Sequence, residues 1–200
     1  TLSPDRLGSL TLSGGRYWQA PSSIWLLGDP ANAATLRPFR ADHLVAGWSR
    51  RIGSDSKVQV EVYGKRYAEY PVRAWRPVAV LQPTGFDDAS SDIPFGLEPL
   101  VSAGRGSAAG LELFAQRRLG ELPLYGQVAA SFNRTRFTGL SGESRVGAFD
   151  TPVLVNAVLG WRPSPRLEVA ARARAASGLP ETPFVTSGPT AGTLDFARYH

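Results

Sequence analysis

Gly160–Arg174 reads GWRPSPRLEVAARAR, and from Leu167 onward it alternates. Leu167, Val169, Ala171 and Ala173 fall on one side, and Glu168, Arg172 and Arg174 on the other. A period of two belongs to a β-strand with one apolar and one polar face. The apolar face must be hidden from water, and alternation alone does not say whether a protein core or a lipid bilayer hides it.

Working outward, the same alternation recurs. Leu7–Gln19 is a first strand candidate that ends in Tyr17 and Trp18. His43–Ile52 places Leu44, Ala46 and Trp48 on one face. In Lys57–Tyr70, Val58, Val60 and Val62 oppose Gln59, Glu61, Tyr63 and Lys65. In Gly104–Leu119, Leu111, Leu113 and Ala115 oppose Glu112, Phe114 and Gln116. Leu122–Phe137, Thr151–Trp161 and Arg166–Ser177 complete the series, and Asp195–His200 is read as the start of one more strand.

The connections alternate in length. Short ones centre on Gly53-Ser54-Asp55, Gly120-Glu121 and Pro163-Ser164-Pro165. Long ones cover Ala20–Arg40, Pro71–Ala103, Thr138–Asp150 and Gly178–Gly192. An up-and-down antiparallel sheet with this pattern gathers its long loops at one end, the arrangement of outer-membrane barrels. Several strands hold their pattern for about ten residues, the span of a tilted membrane strand, whereas globular strands usually run about 5–6. Tyr17, Trp18, Trp48, Tyr67, Tyr70, Phe137 and Trp161 lie near strand ends and are read as interfacial girdles. The expected fold is all-β: an antiparallel up-and-down transmembrane β-barrel segment of about seven or eight strands, an incomplete barrel forming one domain over residues 1–200.

Composition fits. The chain has 200 residues, 42% of them hydrophobic, and a mean hydropathy of −0.15, values open both to soluble proteins and to barrels whose strands are half polar. It contains no run of about 18 apolar residues, so no transmembrane helix is expected. The net charge of +5 comes almost wholly from Arg, with Lys only at Lys57 and Lys65. These arginines are spread along the chain without interleaved aromatics, so no nucleic-acid partner is expected. Zero Cys excludes disulfides and thiol chemistry. The chain starts without Met or a basic-then-apolar leader and is read as a mature or excised segment, which leaves its compartment open.

No catalytic constellation stands out, and the protein is read as non-enzymatic and without cofactors. His43 and His200 are the only histidines, and no Gly-x-Ser-x-Gly elbow occurs. Gly104-Arg105-Gly106 lacks a phosphate-loop pattern and is read as a strand start where the backbone needs freedom. Asp87, Asp88 and Asp92 could offer oxygen ligands to Ca²⁺, but EF-hand spacing is absent and a solvated loop tip is the preferred reading. Glu61, Lys65, Glu112, Glu168, Arg172 and Arg174 share the polar faces and are the candidate lumen-facing residues, expected to pair across strands.

Several segments together resemble TonB-dependent outer-membrane receptors. Leu36–Val72, LRPFRADHLVAGWSRRIGSDSKVQVEVYGKRYAEYPV, resembles a barrel hairpin of that family, with its loop end, a Gly-bearing strand and a return strand carrying Tyr-x-Lys. Gly104–Leu119 resembles the strand that follows a long extracellular loop, and SFNRTRF (Ser131–Phe137) and Phe149–Phe184 resemble the strands after it. Thr182-Pro183 keeps the family's Ser-Gly-x-Pro-x-Thr-Pro ending, while Glu181 stands where Tyr is usual and Asp150-Thr151-Pro152 departs from Asp-Gln-Arg. The resemblance implies a barrel of about 22 strands with a plugged lumen, of which this chain would be the C-terminal part, without the plug and the final strands. It further implies residence in the outer membrane of a Gram-negative bacterium, contact with outer-membrane lipid, coupling to the TonB complex through the missing plug, and uptake of a scarce small-molecule ligand such as a ferric siderophore, cobalamin or a glycan. Two rivals stand beside it. One is a self-contained small barrel serving as a pore or adhesion protein, which requires Asp195–His200 to pair with Leu7–Gln19; the other is a soluble β-sandwich binding module.

Overall fold

The computed structural model describes residues 7–74, 99–147, 150–180 and 184–192. They form one antiparallel sheet of eight strands that is not closed into a barrel. In chain order the elements are β1 (Ser9–Gln19), α1 (Ser23–Gly28), α2 (Asn32–Thr35), β2 (Phe39–Ile52), β3 (Ser56–Arg73), β4 (Leu100–Arg117), β5 (Leu124–Thr138), β6 (Ser144–Val146), β7 (Val153–Ser164) and β8 (Leu167–Ala176). Sequential neighbours pair throughout, except that β5 holds the short β6 at one end and β7 along the rest of its edge. Asp195–His200, expected as a further strand, lies outside the described residues, as do Asp87, Asp88, Asp92 and His200.

The turn end is tight. Ile52 pairs with Ser56 across Gly53-Ser54-Asp55, where Gly53 takes φ of 62°, a left-handed conformation that costs glycine nothing. In the last hairpin Ser164 pairs with Leu167, so its turn is Pro165-Arg166, later than the expected Pro163-Ser164-Pro165 centre. Pro163 falls where the β7–β8 register shifts, the kind of site a strand proline requires because it donates no ladder hydrogen bond. Adjacent turns are tied together, since the Arg118 backbone N–H donates to Asp55 O at 2.8 Å and its guanidinium to Ser54 O at 3.0 Å.

The other end departs more from expectation. β3 and β4 reach 18 residues each, so Pro71–Arg73 and Leu100–Ala103, expected within a long loop, belong to strands. Gly104 and Gly106 therefore lie inside β4 and do not start it. The constraint there is close approach: a Cβ on Gly106 would meet the Phe137 ring at 2.5 Å, and one on Gly104 would meet Tyr70 O at 2.7 Å. The expected loop Thr138–Asp150 contains β6, and the buried Asp150 carboxylate pins its return by accepting from the Thr135 backbone N–H at 2.8 Å and the Thr135 hydroxyl at 3.0 Å.

The Ala20–Arg40 connection is also ordered. Its helices α1 and α2 fold over the ends of the strands, and Trp25 joins Phe39, Tyr70, Val72 and Leu100 in the one buried apolar cluster among the described residues. Asn32 is fully buried and fixes this arrangement. Its amide donates to Trp25 O and its carbonyl accepts from the Leu100 N–H, both at 2.8 Å. The Thr35 hydroxyl donates to Leu100 O at 3.1 Å. Asn32→Ala would leave a buried N–H and a buried C=O without partners, at about 1–3 kcal/mol for each group. We expect hydrogen–deuterium exchange at the Leu100 amide to accelerate in this variant while exchange in the Val58–Val62 ladder stays unchanged; equal protection at Leu100 would show that Asn32 does not hold the connection down.

Candidate functional site

Register turns the alternation of single strands into two continuous surfaces. Leu10, Trp48, Val60, Leu113, Ala130, Val155 and Ala175 stand in one row from β1 to β8. Leu12, Ala46, Val62, Leu111, Phe132 and Val153 form the next, and Val58, Ala115, Val128, Ala157 and Ala173 the row on the other side. Toward the last turn the surface continues through Leu124, Trp161 and Val169. It is an apolar band with no described element packed on it: Leu12 is 72% exposed, Leu159 60%, Val169 55% and Val62 53%. Contiguous apolar patches larger than a few hundred Å² are rare on soluble monomers and mark binding or membrane surfaces.

Charges bracket the band. On the same face, toward the long connections, stand Arg16, Asp42, Arg66 and Arg136, with Arg40, Arg105 and Arg134 in the adjoining rows. Toward the turns stand Arg50 and Arg117. On β3 the uncharged positions of this face run from Ser56 to Gly64, about the length a tilted strand needs to cross a bilayer.

All six residues singled out from the sequence lie on the opposite, polar face. Their expected pairing holds only for Glu168, which accepts from the Tyr125 hydroxyl and lies 3.8 Å from Arg162 Nε. Register sets Glu61 directly against Glu112, so two like charges meet where opposite ones were expected. Lys65 stands over the Tyr63 ring, 5.0 Å from its centroid, while Arg172 and Arg174 oppose Val158 and Asn156. The six are thus spread over three strands and form no single site. A recess near the turns is lined by Gln116, Arg118, Gln127, Arg162 and Glu168. His43 packs against Tyr17 with centroids 4.9 Å apart and the rings tilted by 45°. Among the described residues no group of three or more His, Asp or Glu side chains is placed to hold a metal ion, and no described helix is long and apolar enough to cross a membrane.

The girdle expectation divides. Trp18, Trp48 and Trp161 do stand on the apolar face, by their register with Arg40, Val60 and Val169. Tyr17, Tyr67, Tyr70 and Phe137 do not. Tyr67, Tyr70 and Phe137 pack against one another with centroids 5.2–6.1 Å apart, and Phe39 joins them at 5.1 Å from Tyr70. Alternation already assigns Tyr17, Tyr67 and Phe137 to the polar side. Tyr70 arrives there through a register shift after Tyr67, where Glu69 takes φ of 57°. What the sequence reading missed on the apolar side was the arginines, although their parity relative to Val62 and Phe132 carried the signal.

Comparison with protein-family models, curated proteins and solved structures returned no match.

Directly opposed like charges destabilise a strand pair, by roughly 0.2–1 kcal/mol for exposed pairs. Glu61→Gln is therefore expected to raise the denaturant midpoint slightly and to flatten its dependence on salt as NaCl is raised from low to high concentration. A lowered midpoint would mean that the two carboxylates are engaged by something that compensates them.

Proposed function

We propose that this chain forms part of the wall of an outer-membrane β-barrel, with lipid against the apolar band and the polar face turned to the lumen. The carrying observation is the band itself: large apolar side chains in register across the long strands, uncovered by any described element, and flanked by charges on both sides. A sandwich core would require a second apolar layer over it, and the described chain supplies none. Short turns at one end and long connections at the other agree with barrel topology.

Within that class we propose a TonB-dependent receptor, on the ordered resemblance of Leu36–Val72, Gly104–Leu119 and Phe149–Phe184 to strands of that family. This chain would contribute wall and extracellular loops to energy-coupled uptake of a scarce ligand, while a plug encoded elsewhere in the gene would couple to TonB. Among the described strands β1 and β8 each have a single partner, which accords with further strands completing the sheet. The small closed barrel is the competing reading. Sequencing the gene on both sides separates the two: a long upstream frame with a plug-like domain and further strands downstream supports the receptor, and a leader abutting Thr1 with a stop after His200 overturns it.

The membrane assignment has its own test. Val60→Arg puts a charge in the middle of the band and is expected to cost about 2–4 kcal/mol of stability in bilayers. Gln59→Arg, one residue away on the polar face, is expected to be nearly neutral. Urea titration of the full-length protein in phosphatidylcholine vesicles measures both, and equal effects of the two substitutions would sink the assignment of faces.

A further inference from the structure

Resting on the membrane reading, we infer that the arginines bordering the apolar band on the side of the long connections form a binding surface for net-anionic, phosphate-bearing lipid headgroups in that leaflet. Several observations carry it. Arg66, Arg105, Arg134 and Arg136 are exposed and share the parity of the lipid-facing residues. Three of them face small register partners, Arg105 opposing Thr138, Arg134 opposing Ala109 and Arg136 opposing Ser107, while Arg66 lies between Asp42 and Ser107. Asp42 is the one acid in these rows among the described residues, and it is taken up by Arg16 at 2.5 Å and Arg40 at 3.4 Å. No ion pair with a described carboxylate engages Arg105, Arg134 or Arg136.

The remaining positive charge borders the band, where long cationic side chains run their stems over apolar surface and hold their heads at headgroup level. Trp18, 62% exposed and one row beyond Arg16 on the same face, marks that level as well. All these cations are arginine, whose planar fork grips a phosphate through two parallel hydrogen bonds, where lysine offers a point charge. The turn side is poorer: of Arg50 and Arg117, the latter is turned to the Ser56 hydroxyl. The asymmetry assigns the phosphate-rich leaflet to the side of the long connections.

The test uses the full-length protein in phosphatidylcholine bilayers doped with spin-labelled phosphatidylglycerol or spin-labelled phosphatidylcholine, with the motionally restricted fraction read by electron paramagnetic resonance. The parent protein should prefer phosphatidylglycerol, and R105S/R134S/R136S should remove that preference, because roughly fivefold attraction per arginine near an anionic surface compounds to about a hundredfold over three. Arg50→Ser should leave it intact. Restricted phosphatidylcholine should be the same in all three proteins, which shows that the triple variant is inserted. An unchanged preference in the triple variant overturns the proposal. So does displacement of the labelled phosphatidylglycerol by inorganic phosphate beyond what chloride of equal ionic strength achieves, because the site would then be one for free anions. Absence of restricted lipid of either kind would instead bring down the membrane assignment, and this surface with it.

Discussion

Everything in this structure depends on register. A side-chain period of two means that a slip of one residue between neighbouring strands moves a whole strand's apolar set to the other face. In β8 such a slip would set Arg172 and Arg174 beside Leu159 and Ala157, on the apolar side. Each strand is locked by ladder hydrogen bonds, but the choice among possible ladders is made by the faces. Glu61 and Glu112 show how strong that choice is. Their opposition in register is unfavourable but tolerated, because a one-residue shift to relieve it would break the row Trp48, Val60, Leu113, Ala130.

With register fixed, the two ends of the sheet acquire different characters. At the turn end the strands close quickly and the hairpins brace one another through Arg118 and Asp55. At the loop end β3 and β4 run on past the apolar band, and Tyr67 and Tyr70 of β3 gather with Phe137 of β5 and Phe39 of β2 in the aromatic cluster on the polar face. The helices α1 and α2 settle there because Trp25 and Leu36 find apolar partners and Asn32 satisfies two backbone groups that would otherwise be buried unpaired. The buried apolar core is therefore small and sits at the loop end, on the side of the sheet away from the apolar band.

How much of this was legible follows from the range of each interaction. The seven long strands and their faces were readable because alternation is local: Val58, Val60 and Val62 against Gln59 and Glu61 need no knowledge of a partner. The three turns were readable from Gly, Ser and Pro, with the last misplaced because Pro163 fits a bulge as well as a turn. The six polar-face residues were found for the same reason. Their partners were not, since Glu61 meets Glu112, far along the chain, only when the register is known. The docking of α1 and α2 rests on contacts between Asn32 and Leu100, and a single asparagine in an Ala-rich stretch does not announce a partner 68 positions away. Tyr70 was misassigned because Glu69 adopts a backbone conformation that few residues other than glycine take up, so alternation breaks there without a compositional sign. Tyr67 and Phe137 were misassigned for a simpler reason, since proximity to a strand end was weighed above parity.

The glycines beneath aromatic rings have a consequence for how such a sequence can change over time. Tyr63 lies directly opposite Gly110, Tyr125 opposite Gly160 and Phe137 opposite Gly106, and in each pair the ring occupies the space a Cβ on the glycine would need. The ring covers backbone that the glycine leaves bare, which is how aromatic residues offset the weakness of glycine in strands. Neither member can drift alone: an alanine meets the ring, and a smaller side chain in place of the ring exposes the glycine. Substitutions at these positions are therefore epistatic, with the effect of one depending on the residue across the ladder. Descendants of this chain should carry each pair as a unit, kept or exchanged together, while the apolar band on the opposite face varies freely among apolar residues of similar size.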